Sequence, residues 1–512
     1  MTTDRAERIW REYERGVRYN SAIGLYETVR RNEEFYIGDQ WNGLQAPDLD
    51  KPVLNFLKRV CSYLVAMLVS DDIGVKLTPF DAAQQNSAVC AALEREVLRV
   101  IERTKMRARG REILRNCVVD GDGCFFWYFD PDAIGSRAAQ GEIGLDVVEN
   151  TRILFGDPYE AEVQRQPYLL IVKRESVASL RRRAALYGVP PALFCPDSGE
   201  AGAPDGGEEG GSATVLLRMY KRDGRVFFSE STRTAMLREE IDSRCTLYPV
   251  AYMSYERVRS SYHGRAAVTG LIPNQIAVNK LWAMAIRHQH MMAFPKVFYD
   301  RQKIGEWSNR VGEAIGVVGN PSEAVATSFR AGDMSGQLLT LVDRTIQYTK
   351  EFMGASDAAL GNIRPDNASA IIAVQQAAAA PLELQKLAYF QFVEDSVRVI
   401  IDLIRASYGR REVVLDGRRQ TVDFSSLGID AMSVQVDVGV SPYWSELMQV
   451  QTLDNMFAKG IVTDAIAYLE SVPDHLIPGK SRLLESLRRR KEEQDEMQRM
   501  PAGDADTGRD PA

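Results

Sequence analysis

Histidine and paired cysteine are the scarcest reactive groups in this sequence of 512 residues. There are four histidines, and none of the six cysteines belongs to a Cys-x-x-Cys pair. His288 and His290 are two positions apart, so on a helix they point to different faces and are poorly placed to share a metal ion. Scattered cysteines in a long chain are typical of a reducing compartment. We therefore expect no metal site and buried free thiols at Cys61, Cys90, Cys117, Cys124, Cys195 and Cys245.

Long apolar runs are also missing. The apolar stretch at 60–69 is too short to cross a bilayer, which takes about 20 residues. The first residues, Met1–Glu7, carry charges of both signs and do not look like a signal peptide. We expect no association with a membrane.

Motifs for nucleotide binding and catalysis are absent as well. The run Pro478–Ser481 ends like a phosphate-binding loop, but Asp474 stands where that motif needs its first glycine. A carboxylate there would repel phosphates. The sequence contains no Gly-x-Ser-x-Gly, no His-Glu-x-x-His and no dinucleotide fingerprint. We predict that the chain is not an enzyme and has neither a cofactor nor catalytic residues.

One acidic motif has two interpretations. The segment Asp120–Gly123 has carboxylates at positions i and i+2, which could share a hard cation. The further oxygen ligands of a calcium loop do not follow it, and Asp-Gly pairs are common in turns. A turn is therefore favoured, and a metal at Asp120 and Asp122 stays open.

The charge balance is acidic. With 63 basic and 70 acidic residues, the formal charge is −7. A simple cationic nucleic-acid binder would usually be basic. An acidic chain can still surround DNA without holding it tightly, because like charge opposes phosphate binding. An ordinary acidic globular protein fits this balance equally well, and the length suggests two to four domains.

Three long helices are predicted between His263 and Arg405. The first begins after Gly264, has Pro273 near its start and ends before Pro295. The third begins near Ser369 and should bend at Pro381. The second begins after Asp333, and one face with a helical period carries Leu338, Leu341, Val342, Thr345, Thr349 and Phe352. Between the first two helices we expect strands at 296–299 and 315–318, separated by a helical segment at 304–311.

Shorter helices and strands alternate before this region. Predicted helices cover about 3–37, 52–69, 83–107, 113–119 and 177–187. Predicted strands cover 73–79, 124–129, 143–148, 152–155, 168–173, 213–221, 225–229 and 246–255, with a hairpin turn at Asp223-Gly224. After Arg405 we expect strands at 412–415, 420–424 and 433–440, helices at 446–458, 464–471 and 481–497, and disorder from 500 onward.

An ordered series of segments resembles the portal proteins, or head-to-tail connectors, of tailed double-stranded-DNA bacteriophages and prophages. The series comprises Phe35–Trp41, Asn150–Pro158, Tyr262–Arg265, Leu271–Lys280 and Ala359–Ser369, the last before an Ala/Gln-rich helix. The likeness extends in order over roughly residues 20 to 490. It implies a predominantly helical α+β fold with wing, stem, clip and crown regions that forms a ring.

The resemblance also implies the following division of the chain. Residues 1–262 would form an α+β wing, 263–293 the first stem helix, 294–333 the clip, 334–356 the second stem helix, 357–369 the tunnel loop, 370–442 the kinked long helix and returning wing strands, 443–490 a helical crown, and 491–512 a charged, disordered tail.

A portal subunit implies a structural role and a set of partners. The ring, a dodecamer in the virion, would form the channel at one capsid vertex for DNA packaging and ejection. Expected partners are further copies of the chain, double-stranded DNA, the terminase large subunit, a head-tail adaptor and the major capsid or scaffold protein. The expected locations are the virion and, during assembly, the host cytoplasm. The alternative is a non-viral helical scaffold or an enzyme without a recognisable motif.

Five residues are candidates for contact with DNA in the channel. The first long helix has Arg265, Lys280 and Arg287 but no acidic residue between Gly264 and Met292. Lys280 and Arg287 would give weak phosphate contacts, or they would pair with acidic residues of neighbouring copies. The broken stretch Gly361–Ser369 would place its Asn362, Arg364 and Asn367 near DNA, or it would merely connect two helices.

Overall fold

A computed structural model describes most of the chain. The described residues are 2–45, 49–69, 72–79, 84–136, 139–197, 211–293, 296–308, 310, 314–323, 326–329, 336–354, 380–415, 418–426, 432–439, 450, 453–459, 465–472 and several positions from 477 to 489. The chain divides into two compact units, Met1–Val438 and Gly439–Ala512. The fold is mixed α+β and predominantly helical, as predicted.

Most helices of the first unit lie near the predicted positions, but the helix predicted at 113–119 begins at Met106, and the third long helix, predicted to run through Pro381, begins only at Glu383. The described helices are α1 (Thr2–Ala22), α2 (Leu25–Ile37), α3 (Phe56–Leu68), α4 (Gln84–Arg103), α5 (Met106–Asp120), α6 (Val177–Leu186), α7 (Ala267–Ala293), α8 (Gln337–Phe352) and α9 (Glu383–Ser407). Pro52 does not open α3, because Asn55 accepts a hydrogen bond from the Lys58 N–H and caps the helix there. Pro381 lies in a 3₁₀ turn directly before α9.

Fourteen strands are described. They are β1 (Asp72–Pro79), β2 (Asp122–Ser136), β3 (Ala139–Val148), β4 (Ile153–Phe155), β5 (Tyr168–Ser176), β6 (Ser212–Arg222), β7 (Arg225–Ser231), β8 (Met236–Asp242), β9 (Val250–Ser254), β10 (Lys296–Tyr299), β11 (Ala326–Phe329), β12 (Arg410–Leu415), β13 (Arg418–Asp423) and β14 (Met432–Gly439). One sheet has the order β4-β5-β6-β7-β8 and another the order β3-β2-β9. Three two-stranded pairs are β1-β14, β10-β11 and β12-β13.

The predicted hairpin turn is confirmed between β6 and β7. Arg222 pairs with Arg225, and both Asp223 and Gly224 have positive φ, 53° and 74°. Positive φ at both central residues defines a type I′ turn, whose twist matches that of the flanking strands.

Two helices cover the sheets. Apolar residues of α1 pack on one face of the five-stranded sheet, where they contact Leu154, Leu170 and Leu216. Helix α9 packs on the three-stranded sheet, and the rings of Phe125 and Phe392 are 4.9 Å apart. Its buried residues join the main core, so a helix that begins 129 positions after Ser254, the last residue of this sheet, completes it (383 − 254).

The insert between α7 and α8 differs from the prediction. The strand at 296–299 is confirmed, but its antiparallel partner is β11 and not the predicted strand at 315–318. In that segment Val317 forms a single bridge with Ile304. The predicted helix at 304–311 is wrong at its described positions, which are not helical. Strand β8 is a further element that the sequence pattern did not predict.

Five of the six cysteines are buried free thiols, as predicted, whereas Cys195 is exposed. Burial raises the pKa of the Cys61 thiol to about 12, so this thiol is protonated at neutral pH. No helix in the described part of the chain is long and apolar enough to cross a membrane.

The second unit is partly described. Residues 453–458 are helical and α10 spans Ala465–Ser471, in agreement with the predicted helices there. Lys480, from the run that resembles a phosphate loop, donates from Nζ to the Val472 carbonyl oxygen at 2.5 Å and is buried. Its ammonium group therefore holds a turn of its own unit. The tail at 491–512 lies outside the described residues.

Candidate nucleic-acid interface on the long helices

Helix α7 is anchored along its buried face by polar as well as apolar contacts. Gln275, fully buried, accepts from the Leu57 N–H and donates to the Leu54 carbonyl oxygen, and it also donates to Asn279 at 2.9 Å. Asn279 in turn donates to Gln40 at 2.6 Å. These buried amides form a continuous series of hydrogen bonds. The series fixes the rotation of α7 about its axis, because any other rotation would leave buried polar groups unpaired.

That rotation turns the two predicted cations outward. Lys280 and Arg287 are exposed and seven residues apart, which is about two helical turns. Neither has an acidic group within ion-pair distance among the described residues. Met284 and Met291 lie on the same face, since all four follow a spacing of four, three and four residues. The outer face of α7 therefore alternates cations with methionines.

A cleft of about 390 Å³ opens beside Lys280. It lies between α2, the turn at 39–44 and α7, and its charged lining residues are Glu27, Arg30, Arg31, Glu34, Asp39 and Lys280. The two signs are balanced there, so the cleft by itself does not select an anion. In the aromatic segment beside it, Gly38 ends α2 as predicted, and the Trp41 Nε1–H donates to the Pro52 carbonyl oxygen at 2.9 Å.

Helix α8 returns antiparallel to α7. Asn274, near the start of α7, donates to Thr349, near the end of α8, at 2.9 Å. Val342 and Thr349 are buried, but Leu341 and Phe352 are exposed, although the sequence placed them on the same apolar face. The contact with α7 is a narrow stripe, so it covers only part of the apolar surface of α8.

The remaining channel candidates are not described. Asn362, Arg364 and Asn367, together with the rest of the predicted tunnel loop, lie outside the described residues.

The start of α7 is tied to the sheets by a buried polar network. Asp122 accepts from the Ser254 hydroxyl at 2.9 Å, the Gly264 N–H at 2.8 Å and the Asn150 amide at 3.3 Å. Its carboxylate also lies 2.9 Å from His263 Nδ1. The other ring nitrogen, Nε2, is 3.1 Å from Asn20 Oδ1. Asn150, Ser254, His263 and Gly264 therefore meet at one carboxylate, and the His263 ring links it to Asn20 of α1.

This network bears on the two interpretations of Asp120–Gly123. Both Asp122 oxygens accept hydrogen bonds from protein groups, which favours the turn. Gly121 ends α5 with φ of 104°, and a Cβ there would lie 2.8 Å from the Gly264 carbonyl oxygen. Glycine is required at this close approach. The described residues include no group of three or more His, Cys, Asp or Glu side chains that could hold a metal ion.

Asp120 lies beside the network in a different environment. Burial raises the pKa of its carboxyl to about 7, although Arg115, at 3.7 Å, lowers it. Arg115 also contacts Glu33, and its guanidinium lies over the ring of Tyr36. Asp120 is therefore a carboxyl group that changes charge near neutral pH.

Sequence reasoning missed a group of arginines at the free edge of β3. Three guanidinium groups donate to main-chain oxygens there: Arg411 to Gly141, Arg103 to Ile143 and Arg109 to Leu145. The fully buried carboxylate of Glu142 lies among Arg99, Arg103 and Arg411 and accepts from the Tyr408 hydroxyl at 3.0 Å. The dense run of arginines from 99 to 111 was the available signal. These contacts close an edge that could otherwise pair with another strand.

A comparison with models of known protein families finds no match, and a search of curated proteins finds no similar sequence.

Proposed function

We propose that this chain is the subunit of a portal ring at one vertex of a bacteriophage capsid. The ring, a dodecamer, would be the channel through which double-stranded DNA enters during packaging and leaves during ejection. It would also be the docking site for the terminase motor and for head-tail adaptors. This role is structural and needs no catalytic group in the chain.

The apolar surface left uncovered on the helix pair α7–α8 carries this proposal. On α8, Leu341 is 53% exposed, Tyr348 52% and Phe352 85%. Their spacing of seven and four residues puts them on one face. Contiguous exposed apolar surface of this kind is uncommon in monomers and marks contact with another protein. A second copy of the chain would cover it, and repeated contacts of two different faces close into a ring.

The order of elements supports the same proposal. An α+β region precedes α7, a small β insert with the pair β10-β11 separates α7 from α8, and α9 returns to the core. This is the order of wing, stem, clip, stem and wing that the resemblance implies. Within this arrangement, Lys280 and Arg287 would offer weak phosphate contacts, since both are exposed and have no nearby acidic partner among the described residues.

The assembly can be tested by introducing charge on the exposed face of α8. In mass photometry at micromolar concentration, we expect the wild type to form particles many times heavier than the 57.3 kDa subunit. Leu341→Asp with Phe352→Asp should shift the population to subunits, because buried unpaired carboxylates oppose the contact. The matched control is Leu186→Asp with Leu193→Asp, at positions equally apolar and exposed but on and after α6. A wild type that stays monomeric would contradict the proposal.

A further inference from the structure

The junction of α4 and α5 concentrates positive charge in an acidic chain. Between positions 103 and 111 there are five cations and no acidic residue, in a chain of net charge −7. We call these residues, Arg103, Lys105, Arg107, Arg109 and Arg111, the basic corner. Glu102 and Glu112 flank it.

The backbone strengthens this positive charge. Lys105 has φ of 54° and is the N-cap of α5, with no side-chain cap, and the first turn of α5 contains no acidic residue. A helix N-terminus carries partial positive charge and is normally stabilised by Asp, Glu or a capping side chain. Arg107 and Arg109 in this first turn oppose helix stability. The corner therefore retains a charge arrangement that folding alone does not favour.

Contacts within the chain engage only some of the five cations of the basic corner. Arg103 and Arg109 point inward and donate to the carbonyl oxygens of β3. Lys105 and Arg107 are exposed, and neither has an ion pair within 4.0 Å among the described residues. These two are the cations available to an external anion.

We propose that the basic corner binds the phosphate backbone of double-stranded DNA, at a site separate from the helix pair α7–α8. Guanidinium and ammonium groups beside a helix N-terminus are suited to phosphate oxygens. The residues between these cations are Thr104, Met106 and Gly110, which are buried, and Ala108. Contacts of the exposed cations with phosphate oxygens carry no base information, so binding through the backbone is independent of DNA sequence. A protein partner would normally need an apolar contact as well, and the corner offers none.

The test is binding of the full chain to two fluorescent duplexes of unrelated sequence, measured by anisotropy over a range of salt. We expect equal affinity for both duplexes. Lys105→Glu with Arg107→Glu should weaken binding more than about tenfold at low salt and reduce the salt slope by about 2. The neutral pair Lys105→Gln with Arg107→Gln should weaken binding in the same direction and guards against misfolding of the charge-reversed variant.

The matched control is Arg59→Glu with Arg182→Glu, two exposed arginines elsewhere that also have no ion pair among the described residues. The control should bind DNA within about twofold of wild type. If the corner variants bind DNA as tightly as the control, the basic corner is not a DNA-binding site. Loss of oligomers with unchanged DNA binding would also overturn it, because the corner would then contact a second copy. The portal proposal is tested by a different measurement, the particle mass of the wild type.

Discussion

Asp120 and Asp122 are two residues apart, yet their carboxyl groups have different surroundings. Asp122 is surrounded by four protein groups and joins α1, β2, β9 and the start of α7. Asp120 is enclosed without comparable donors, so burial raises its pKa to about 7. Asp122 holds distant elements together, and Asp120 is a buried carboxyl whose pKa is raised.

Replacing Asp120 should change how stability depends on pH. Because its pKa in the folded chain lies above the ordinary 3.8, the folded state binds the proton more tightly. The free energy of unfolding therefore falls as the pH rises from about 4 to about 7, and the loss is complete above pH 7. We expect Asp120→Asn to be more stable than wild type by about 1–2 kcal/mol at pH 8 and similar to it near pH 4.

Denaturant midpoints at the two pH values check this expectation. Asp132→Asn, at an exposed position, is the control and should follow the wild type at both. A uniform destabilisation by Asp120→Asn at every pH would show that the charged carboxylate is needed for its contact with Arg115.

The network around Asp122 could not be predicted from sequence. Asn20, Asp122 and His263 are separated by more than 100 positions, and no local pattern relates them. The turn at Asp120–Gly123 was predictable, because glycine and aspartate have local conformational preferences. What lies opposite the turn depends on how distant elements pack.

At the scale of the element, β3 depends on arginines from α4, α5 and β12. Arg103, Arg109 and Arg411 satisfy carbonyl oxygens at its free edge, and the carboxylate of Glu142 lies within this positive group. The edge is thereby closed by side chains and not by a further strand.

Removing the carboxylate should weaken this arrangement strongly. Glu142→Ala leaves several guanidinium groups partly buried without their counter-charge, and we expect it to cost about 3–5 kcal/mol of unfolding free energy. Glu149→Ala, which removes an exposed ion pair with Arg152, is the control and should cost less than about 1 kcal/mol. Chemical denaturation compares the two, and equal losses would show that the Glu142 cluster contributes no more than a surface pair.

Element boundaries were predictable where glycine sets the backbone, but not at Pro52 or Pro381. The end of α2 at Gly38, the end of α5 at Gly121 and the turn at Gly224 all agree with prediction. The break between α4 and α5 at Lys105 was not foreseen, since a lysine with positive φ has no local sequence signal. The partner of β10 was also missed, because strand pairing is decided by long-range packing.

At the scale of the whole molecule, the proposed ring would bring the outer faces of many α7 helices around one channel. Lys280 and Arg287 would then form a positive band, and its effect on DNA would depend on salt. The absence of acidic residues on α7 predicted a role for these cations but not their exposure, and the exposed methionines on the same face leave a contact between copies as the competing role.

Substituting both cations separates these roles. Lys280→Ala with Arg287→Ala should alter DNA packaging in vitro, with a larger effect at about 50 mM than at about 200 mM salt, because phosphate contacts are screened. The control is Arg59→Ala with Arg182→Ala. Packaging that equals wild type at every salt concentration would exclude functional phosphate contacts, and loss of the ring itself would assign the pair to assembly.

The arrangement of copies is the point on which the account depends most. Negative-stain electron microscopy of the purified full-length chain measures it directly. We predict end-on views of closed rings with a central channel wide enough for a DNA duplex, together with side views in which helices form a narrower stem. A field of single compact particles, with neither rings nor channels at micromolar concentration, would contradict the account.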